Sequence, residues 1–441
     1  MFYNFKKTIL FIGDLGCLHL ALFATLALRY PQPLLGRYWQ SHWPLFWPVF
    51  IIWLLIIYIN DLYNLNWRVI SRRFLGAAAS VTIMSGILSA LYFYLTANTN
   101  IAPKTNLLIF SVIFLILFLA WRRLGQAALH SLLLKENLGI IGLNDRSEKL
   151  LAELRSHPGA GYQIAWTCET SEGLSALADN IKRKNIHTVV VCDDFGARGQ
   201  ISAALFACLA YKVDFFNYPD FYEMISGKVP VEAIGQNWFL ENLQEGQKNY
   251  FNFFKQILDF SLALFILAVS LPFWPIIALI IKIESRGPVF FRQTRVGKEE
   301  KNFSIIKFRT MREENNDRSL TTDNDARITR FGSFLRRTRL DEVPQVLNIL
   351  AGEMSFIGPR PERPEIIAEL ERQIPFYKTR LLIKPGLTGW DQISGRYHSA
   401  SLADSLEKLQ YDLFYLKRRS IYLDISITLK TIATMLSQAG R

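Results

Sequence analysis

Long apolar blocks alternate with short polar connections over the first quarter of the chain, at about residues 8–28, 44–62, 75–97 and 106–121. A helix needs roughly 20 apolar residues to cross a bilayer core, so four membrane-spanning helices are expected. The connections carry a lopsided charge. Lys6, Lys7, Arg68, Arg72, Arg73, Arg122 and Arg123 fall on one side, against Arg29, Arg37 and Lys104 on the other. The positive-inside bias therefore puts the N-terminus and the chain beyond about residue 124 in the cytoplasm. Asp14 is the one acid in the first block, where a carboxylate is expected to make a helix–helix or interfacial contact. That block follows two lysines as a signal peptide would, but it lacks an A-x-A-like cleavage site and is expected to stay as a helix.

From about residue 137 to 230 the rhythm changes. The short apolar runs Leu138–Leu143, Ile186–Cys192 and Val213–Phe216 alternate with helical stretches at Ser147–His157 and Gly199–Tyr211. This alternation predicts a parallel α/β sheet, a Rossmann-like module. The first run leads into Gly142-Leu143-Asn144-Asp145-Arg146-Ser147, where a dinucleotide-binding fold would place GxGxxG. Only Gly139 and Gly142 are present, at the wrong spacing, so no nicotinamide cofactor is expected. The polar residues 241–255 read as a linker.

A fifth apolar segment, Ile257–Ile281, contains one charge, Asp259. Pro272 and Pro275 interrupt its middle, and each removes a backbone donor. Lys248 and Lys255 precede it, and Lys282, Arg286, Arg292 and Arg295 follow it. Basic flanks on both sides place both ends in the cytoplasm, so the segment is expected to enter the membrane and return. The predicted architecture is a four-helix membrane bundle (1–130), an α/β Rossmann-like module (131–245) and a mostly α catalytic domain (246–441) with a re-entrant membrane helix at about 257–281.

Composition agrees with this partition. Half of the 441 residues are hydrophobic and the net charge is +12. In so apolar a chain the basic excess suits anionic lipid and phosphate, and no nucleic acid partner is expected. The four cysteines form no CxxC pair and the six histidines no HExxH, so neither a disulfide framework nor a zinc site is expected.

The candidate chemistry lies late in the chain. Leu340-Asp341-Glu342-Val343-Pro344-Gln345 opens a helix, because proline is tolerated in a first turn. Asp341 then sits where free N–H groups favour phosphate, just after Arg336, Arg337 and Arg339. A carboxylate so placed can attack phosphorus. Adjacent Asp341 and Glu342 can also hold Mg²⁺ together with substrate phosphate oxygens. A single Asp at a helix start is otherwise a plain cap. Gly358-Pro359-Arg360-Pro361 is a stiff loop projecting one arginine, suited to bidentate phosphate contact or to solvent. Lys307 and Arg309 follow the apolar strand Phe303–Ile306. Leu402, Leu406, Leu409, Leu413 and Leu416 form a stripe beside Tyr411, Phe414, Tyr415, Lys417, Arg418 and Arg419, which suits either a membrane interface or core packing.

These residues belong to an ordered series. It runs from Asp259 and the broken segment through Lys282-Ile283, Gly287-Pro288-Val289-Phe290-Phe291, Gln293, Arg295, Gly297 and Lys307-Phe308-Arg309-Thr310-Met311. It continues through Leu340–Gln345, Gly352-Glu353-Met354-Ser355-Phe356-Ile357-Gly358-Pro359-Arg360-Pro361, Lys384-Pro385-Gly386-Leu387-Thr388-Gly389-Trp390 and Gly395-Arg396. In this series the chain resembles the monotopic phosphoglycosyl transferases, the bacterial sugar transferases that initiate exopolysaccharide, capsule and O-antigen synthesis. The helices and α/β module in front resemble the large members of that family. Leu271 departs from the family pattern, which often has serine before the proline at 272.

The resemblance implies a double displacement. Asp341 takes a phospho-sugar from a UDP-sugar, glucose or galactose, and UMP leaves. Undecaprenyl phosphate then accepts it, with Glu342 assisting through Mg²⁺ or proton transfer. Lys307, Arg309, Arg336, Arg339, Pro359, Arg360, Pro361 and Arg396 are implied as substrate contacts. Also implied are membrane lipids as partners, a homodimer, and a multi-pass place in the bacterial inner membrane with the catalytic domain facing the cytoplasm. Two rivals fare worse. A membrane-anchored nucleotide-sugar dehydratase would need a GxxGxxG loop and a Tyr-x-x-x-Lys pair after the linker, and no such constellation is there. A non-catalytic assembly scaffold would tolerate loss of Asp341 and Glu342, and both are present.

Overall fold

The computed structural model describes residues 2–60, 62–63, 71–96, 103–131, 135–169, 174–193, 199–243, 245–312, 325, 327–394 and 401–437. The chain divides into two compact units, Met1–Phe221 and Tyr222–Arg441. The boundary expected at 245/246 falls inside the second unit.

The first unit opens with four helices, α1 (Phe2–Arg29), α2 (Leu35–Ile59), α3 (Arg72–Leu95) and α4 (Pro103–Ser131). Each contains a stretch long and apolar enough to cross a membrane. Helix α2 starts nine residues before the expected block and runs straight through Pro44 and Pro48. Prolines are tolerated in membrane helices because neighbouring groups satisfy the freed carbonyls. The bundle core is an aromatic stack. Phe110, Phe114 and Phe118 lie at helical spacing along α4, and Trp53 of α2 packs edge-on against Phe114 at 4.7 Å. Trp53 Nε1 donates to Ser89 Oγ of α3 at 3.0 Å. Asp14 makes a helix–helix contact, an ion pair of 2.6 Å with Arg122 of α4, and both residues are buried. Gly13 allows α1 to come this close, since a Cβ there would meet the Trp121 ring at 2.0 Å.

After the helices come β1 (Glu136–Ile141), α5 (Asp145–Ser156), β2 (Tyr162–Cys168), α6 (Leu177–Arg183), β3 (Ile186–Val191), α7 (Gly199–Ala207) and β4 (Asp214–Asn217). They form a four-stranded parallel sheet in the order β2-β1-β3-β4. Strand β2 is an edge strand with Gln163, Ile164 and Thr167 exposed, and its apolar run Ile164-Ala165-Trp166 is only three residues long. Asn144 caps α5, where its side chain accepts from the N–H groups of Arg146 and Ser147.

The second unit begins within α8 (Tyr218–Ser226) and continues through α9 (Gln236–Asn242). The expected linker is not extended. Residues 249–255 form the first turns of the long helix α10 (Asn249–Ser270), an aromatic-rich stretch with no proline or glycine to break it. A single 3-10 turn, Leu271–Phe273, separates α10 from α11 (Trp274–Glu284), with Pro272 and Pro275 each in the first turn of its own segment. The whole stretch Asn249–Glu284 is long and apolar enough for a membrane.

Then come the hairpin β5 (Phe290–Val296) and β6 (Asn302–Phe308), α12 (Arg330–Arg337), a 3-10 turn at Leu340–Gln345, and α13 (Val346–Leu350). The chain ends with β7 (Ser355–Ile357), α14 (Pro364–Gln373), β8 (Gly386–Thr388), α15 (Trp390–Ser394), α16 (Leu402–Arg418) and α17 (Ile421–Ser437), with β7 and β8 paired in parallel. The leucine stripe of α16 is largely core, with Leu409, Leu413 and Leu416 fully buried.

Helix α12 lies directly on the end of β6. A Cβ on Gly332 would stand 2.1 Å from the Thr310 carbonyl oxygen. Gly332→Ala should therefore force α12 off this strand end and cost about 1–3 kcal/mol. Gly246→Ala, with open space around it, should be nearly neutral. Paired thermal melts of the purified protein check this, and equal melting temperatures would contradict the close approach.

Candidate active site

Asp341 and Glu342 sit in the 3-10 turn Leu340–Gln345, entered through Arg339 in a left-handed conformation (φ +58°). That conformation is unfavourable for a non-glycine residue, by about 1–3 kcal/mol. Here it reverses the chain at the end of α12, so that the turn faces β6. Both carboxylates are buried, each 8% exposed.

Two cations from separate elements meet Glu342. Lys307, near the end of β6, donates from Nζ to Oε1 at 2.5 Å, and Arg360 donates from Nη2 to the same oxygen at 3.2 Å. Burial alone would raise the Glu342 pKa, but Arg360 and Lys307 outweigh it and hold the carboxyl down at about 2. Asp341 goes the other way. Burial and the adjacent Glu342 charge push it up to about 6, while Lys307, Arg336 and Arg339 pull against them. Its Oδ1 has no hydrogen-bond partner. The pair thus splits into a permanently ionised acid clamped by cations and a second acid with a free oxygen that changes charge near neutrality.

Supporting contacts set this geometry. Asn348 of α13 donates from Nδ2 to the Ser304 carbonyl at 2.8 Å and accepts the Ile306 N–H at 3.2 Å. Its amide behaves as a short extra strand along the outer edge of β6, fixing the strand one residue before Lys307. Arg336 Nε donates to Thr310 Oγ1 at 2.8 Å, and its charge lowers Asp341. Arg339 lies immediately before the turn and acts on both acids. Pro359, Arg360 and Pro361 line a small cavity together with Arg380 and Glu362. Arg309 donates from Nη2 to the carbonyl and the Oγ of Ser285 at 2.8 and 3.0 Å, which ties the end of β6 to the end of α11, and its buried Nε and Nη1 have no partner. Arg396 lies outside the described residues.

Beside the acids an apolar groove of about 330 Å³ runs along the break between α10 and α11, lined by Phe273, Trp274, Ile277, Phe308, Leu340 and Val343 among others. Leu340 and Val343 flank the two acids in the chain, so groove and carboxylates share one turn. The motifs did not reveal Asn348 as a bridge, nor the buried Arg380, Asp391 and Asp412 behind Arg360. None of these carries a local pattern.

The model of the bacterial sugar transferase family matches residues 250–438. The chain is 40% identical over 191 residues to an exopolysaccharide production protein of Rhizobium leguminosarum bv. phaseoli, covering 42% of this chain and 96% of that protein. It belongs to the bacterial sugar transferase family. The chain is also 34% identical over 258 residues to the UDP-N-acetylgalactosamine-undecaprenyl-phosphate N-acetylgalactosaminephosphotransferase of Aeromonas hydrophila, covering 58% of this chain and 60% of that protein. To the UDP-glucose:undecaprenyl-phosphate glucose-1-phosphate transferase of Xanthomonas campestris pv. campestris it is 35% identical over 323 residues, 68% of this chain and 66% of that protein. The chain thus spans just under two thirds of the length of these last two relatives. The family match contains Asp341, Glu342, Lys307 and Arg360, so the paired acids and their cations lie within the shared part.

The electrostatics of this site can be titrated directly. Asp341 should ionise near pH 6. Glu342→Gln removes a repelling charge and should lower that value, whereas Lys307→Met removes an attracting one and should raise it. Carbon NMR of labelled aspartate carboxyls reads both shifts. A common shift in one direction would contradict the arrangement.

Proposed function

We propose that this chain transfers a sugar-1-phosphate from a UDP-sugar to undecaprenyl phosphate, releasing UMP and initiating exopolysaccharide, capsule or O-antigen synthesis. The observation that carries the reading is the split acid pair. Asp341 has a free, buried oxygen, and Glu342 is locked between Lys307 and Arg360. The names of the Aeromonas and Xanthomonas relatives support both substrates. Glucose is the favoured sugar, with galactose next.

In this reading Asp341 attacks the β-phosphorus of the UDP-sugar. The bond from that phosphorus to the bridging oxygen breaks, and UMP leaves with the oxygen. An aspartyl phospho-sugar remains. An oxygen of undecaprenyl phosphate then attacks the same phosphorus, the bond to Asp341 breaks, and the carboxylate returns. Lys307, Arg336, Arg339 and Arg360 surround the place where phosphate charge must be neutralised. Arg309 acts at one remove, by holding α11 through Ser285.

Among the described residues no three acids, histidines or cysteines cluster as a metal cage. Mg²⁺ commonly binds through one or two carboxylates plus substrate phosphate oxygens, and the free Asp341 Oδ1 suits that mode. Asp341 and Glu342 would hold the ion, which supplies charge neutralisation at the diphosphate.

The apolar groove beside the turn suits the isoprenoid chain of the acceptor. The Asn249–Glu284 segment is read as re-entrant, supported by where its two arms pack. Ala263 of α10 lies among Phe303, Ile305, Val346 and Ile349, and Ile281 of α11 among Phe308 and Leu335. Lys255 pairs with Asp424 at 2.6 Å, and Glu284 accepts the Phe331 N–H at 3.0 Å. Both ends thus hold the same folded unit, which a straight crossing would split across the bilayer. The parallel sheet of the first unit is read as a Rossmann-like module without nicotinamide. The protein is placed in the bacterial inner membrane with the catalytic unit on the cytoplasmic side.

Two experiments test this. Wild-type protein given Mg²⁺ and a UDP-sugar labelled in the β-phosphate, without lipid acceptor, should release UMP and carry label on a peptide containing Asp341. Asp341→Asn should abolish turnover and label, and Glu342→Gln should slow turnover by about 10²–10⁴-fold. Full-rate turnover with no trapped label, and kinetics requiring both substrates bound together, would replace the covalent step by direct lipid attack. For the re-entrant helix, single cysteines at 250 and 300 in a cysteine-free background should both be labelled only from the cytoplasmic face. Labelling from opposite faces would sink the hairpin. Replacing Pro272 and Pro275 together by alanine should straighten the segment and reduce activity.

A further inference from the structure

Behind the Pro-Arg-Pro loop lies a buried ion cluster assembled from three distant parts of the chain. Arg380 belongs to the 3-10 turn Tyr377–Leu382 and is 2% exposed. Its Nη1 donates to the Tyr377 hydroxyl at 2.7 Å. Its Nη2 pairs with Asp412 of α16 at 2.8 Å and donates to the main-chain carbonyl of Arg360 at 3.0 Å. Asp391, at the start of α15, is buried too, and its charge acts on both Arg380 and Arg360.

Such a cluster is an unfavourable way to fill a core. Packed apolar residues of similar volume are often as stabilising as a buried ion pair, or more so. The single partner of Arg380 that reaches the catalytic turn is the Arg360 carbonyl. The guanidinium of that same Arg360 rests on Glu342. The two prolines stiffen the loop, but they do not fix how far its arginine stands from the acids. A rigid guanidinium anchored on a buried carboxylate does.

We propose that Arg380, anchored by Asp412, is a positioning residue for the transfer reaction, holding the Arg360 main chain so that the Arg360 side chain stays on Glu342. This rests on the reading of Asp341 and Glu342 as the reacting pair. Burial raises the Asp412 carboxyl to about 7 even with Arg380 drawing it down, so what Asp412 supplies is the close contact at 2.8 Å that fixes the guanidinium. Without the anchor, Arg360 drifts from Glu342 and one of the two cations on that carboxylate is lost.

The test is a double-mutant cycle on the full-length protein in lipid nanodiscs, with UMP release from UDP-glucose and undecaprenyl phosphate as readout. Arg380→Lys keeps a positive charge beside Asp412 but cannot span the fork to Arg360. Small displacements of a catalytic group cost on the order of 10²-fold. The expected loss in kcat is of that order, with KM for the UDP-sugar nearly unchanged. In an Arg360→Ala background, Arg380→Lys should cost nothing more, because the side chain that the anchored main chain positions is gone. An equal loss in both backgrounds, or wild-type kcat for Arg380→Lys, overturns the proposal. If Arg380→Lys does not fold, Tyr377→Phe removes one bond to Arg380 without altering charge and runs through the same cycle, where the same two results support or overturn the proposal. If the wild-type protein releases no UMP from any UDP-sugar, the functional reading itself has failed. The Arg360 guanidinium signal in arginine-labelled NMR spectra then reads the same contact: Arg380→Lys should move it toward its position in Glu342→Gln, and an unmoved signal overturns the proposal.

Discussion

Two carboxylates on adjacent residues, both withdrawn from water, cannot both stay charged unless something compensates them. The bond from Lys307 and Arg360 to one Glu342 oxygen provides that compensation, and much of the second unit exists to hold it. Strand β6 delivers Lys307, and the Asn348 amide pins that strand to the helix leaving the acid turn. The Pro-Arg-Pro loop delivers Arg360. Helix α12 is seated through Gly332 on Thr310, which brings Arg336 toward the other acid. Because Glu342 is satisfied, Asp341 is left as the one acid whose charge is undecided.

The same turn has two neighbourhoods. On one side stand cations, and on the other Leu340 and Val343 open onto an apolar groove walled by Phe273, Trp274 and Phe308. Charged and apolar groups cannot share one kind of pocket, since each is disfavoured in the other's environment. Under the proposed reaction, a site on this seam would let nucleotide and lipid present phosphate to the same carboxylate.

Much of this was legible in the sequence, and the exceptions have physical causes. Blocks of apolar residues placed the apolar stretches of α1, α3 and α4 to within a few positions, because a bilayer demands length and hydrophobicity and little else. The start of α2 was obscured because Arg37, Gln40, Ser41 and His42 interrupt its apolar run. Strand β2 was missed because its apolar run is only three residues long. Asp341, Glu342, Lys307 and Arg360 stood out because they lie in short ordered motifs. Arg380 and Asp412 did not, because each is an ordinary charge in its own stretch and they meet only in three dimensions. Arg309 stood out in its motif as well, and the structure adds that its Nη2 ties to Ser285 while its Nε and Nη1 stay without a partner.

Asp259 ties the long apolar helix to a strand made much later. Its carboxylate, within α10, accepts from Ser355 Oγ at 2.7 Å and from the Phe356 N–H at 3.3 Å, both in β7. The first of those donors is synthesised 96 residues after the acid. Before β7 is made, the Asp259 carboxylate has Lys255, one turn earlier at 4.0 Å, beside it, but neither of its β7 donors. A chain that ends before residue 355 therefore lacks both bonds that tie this helix to the body of the unit.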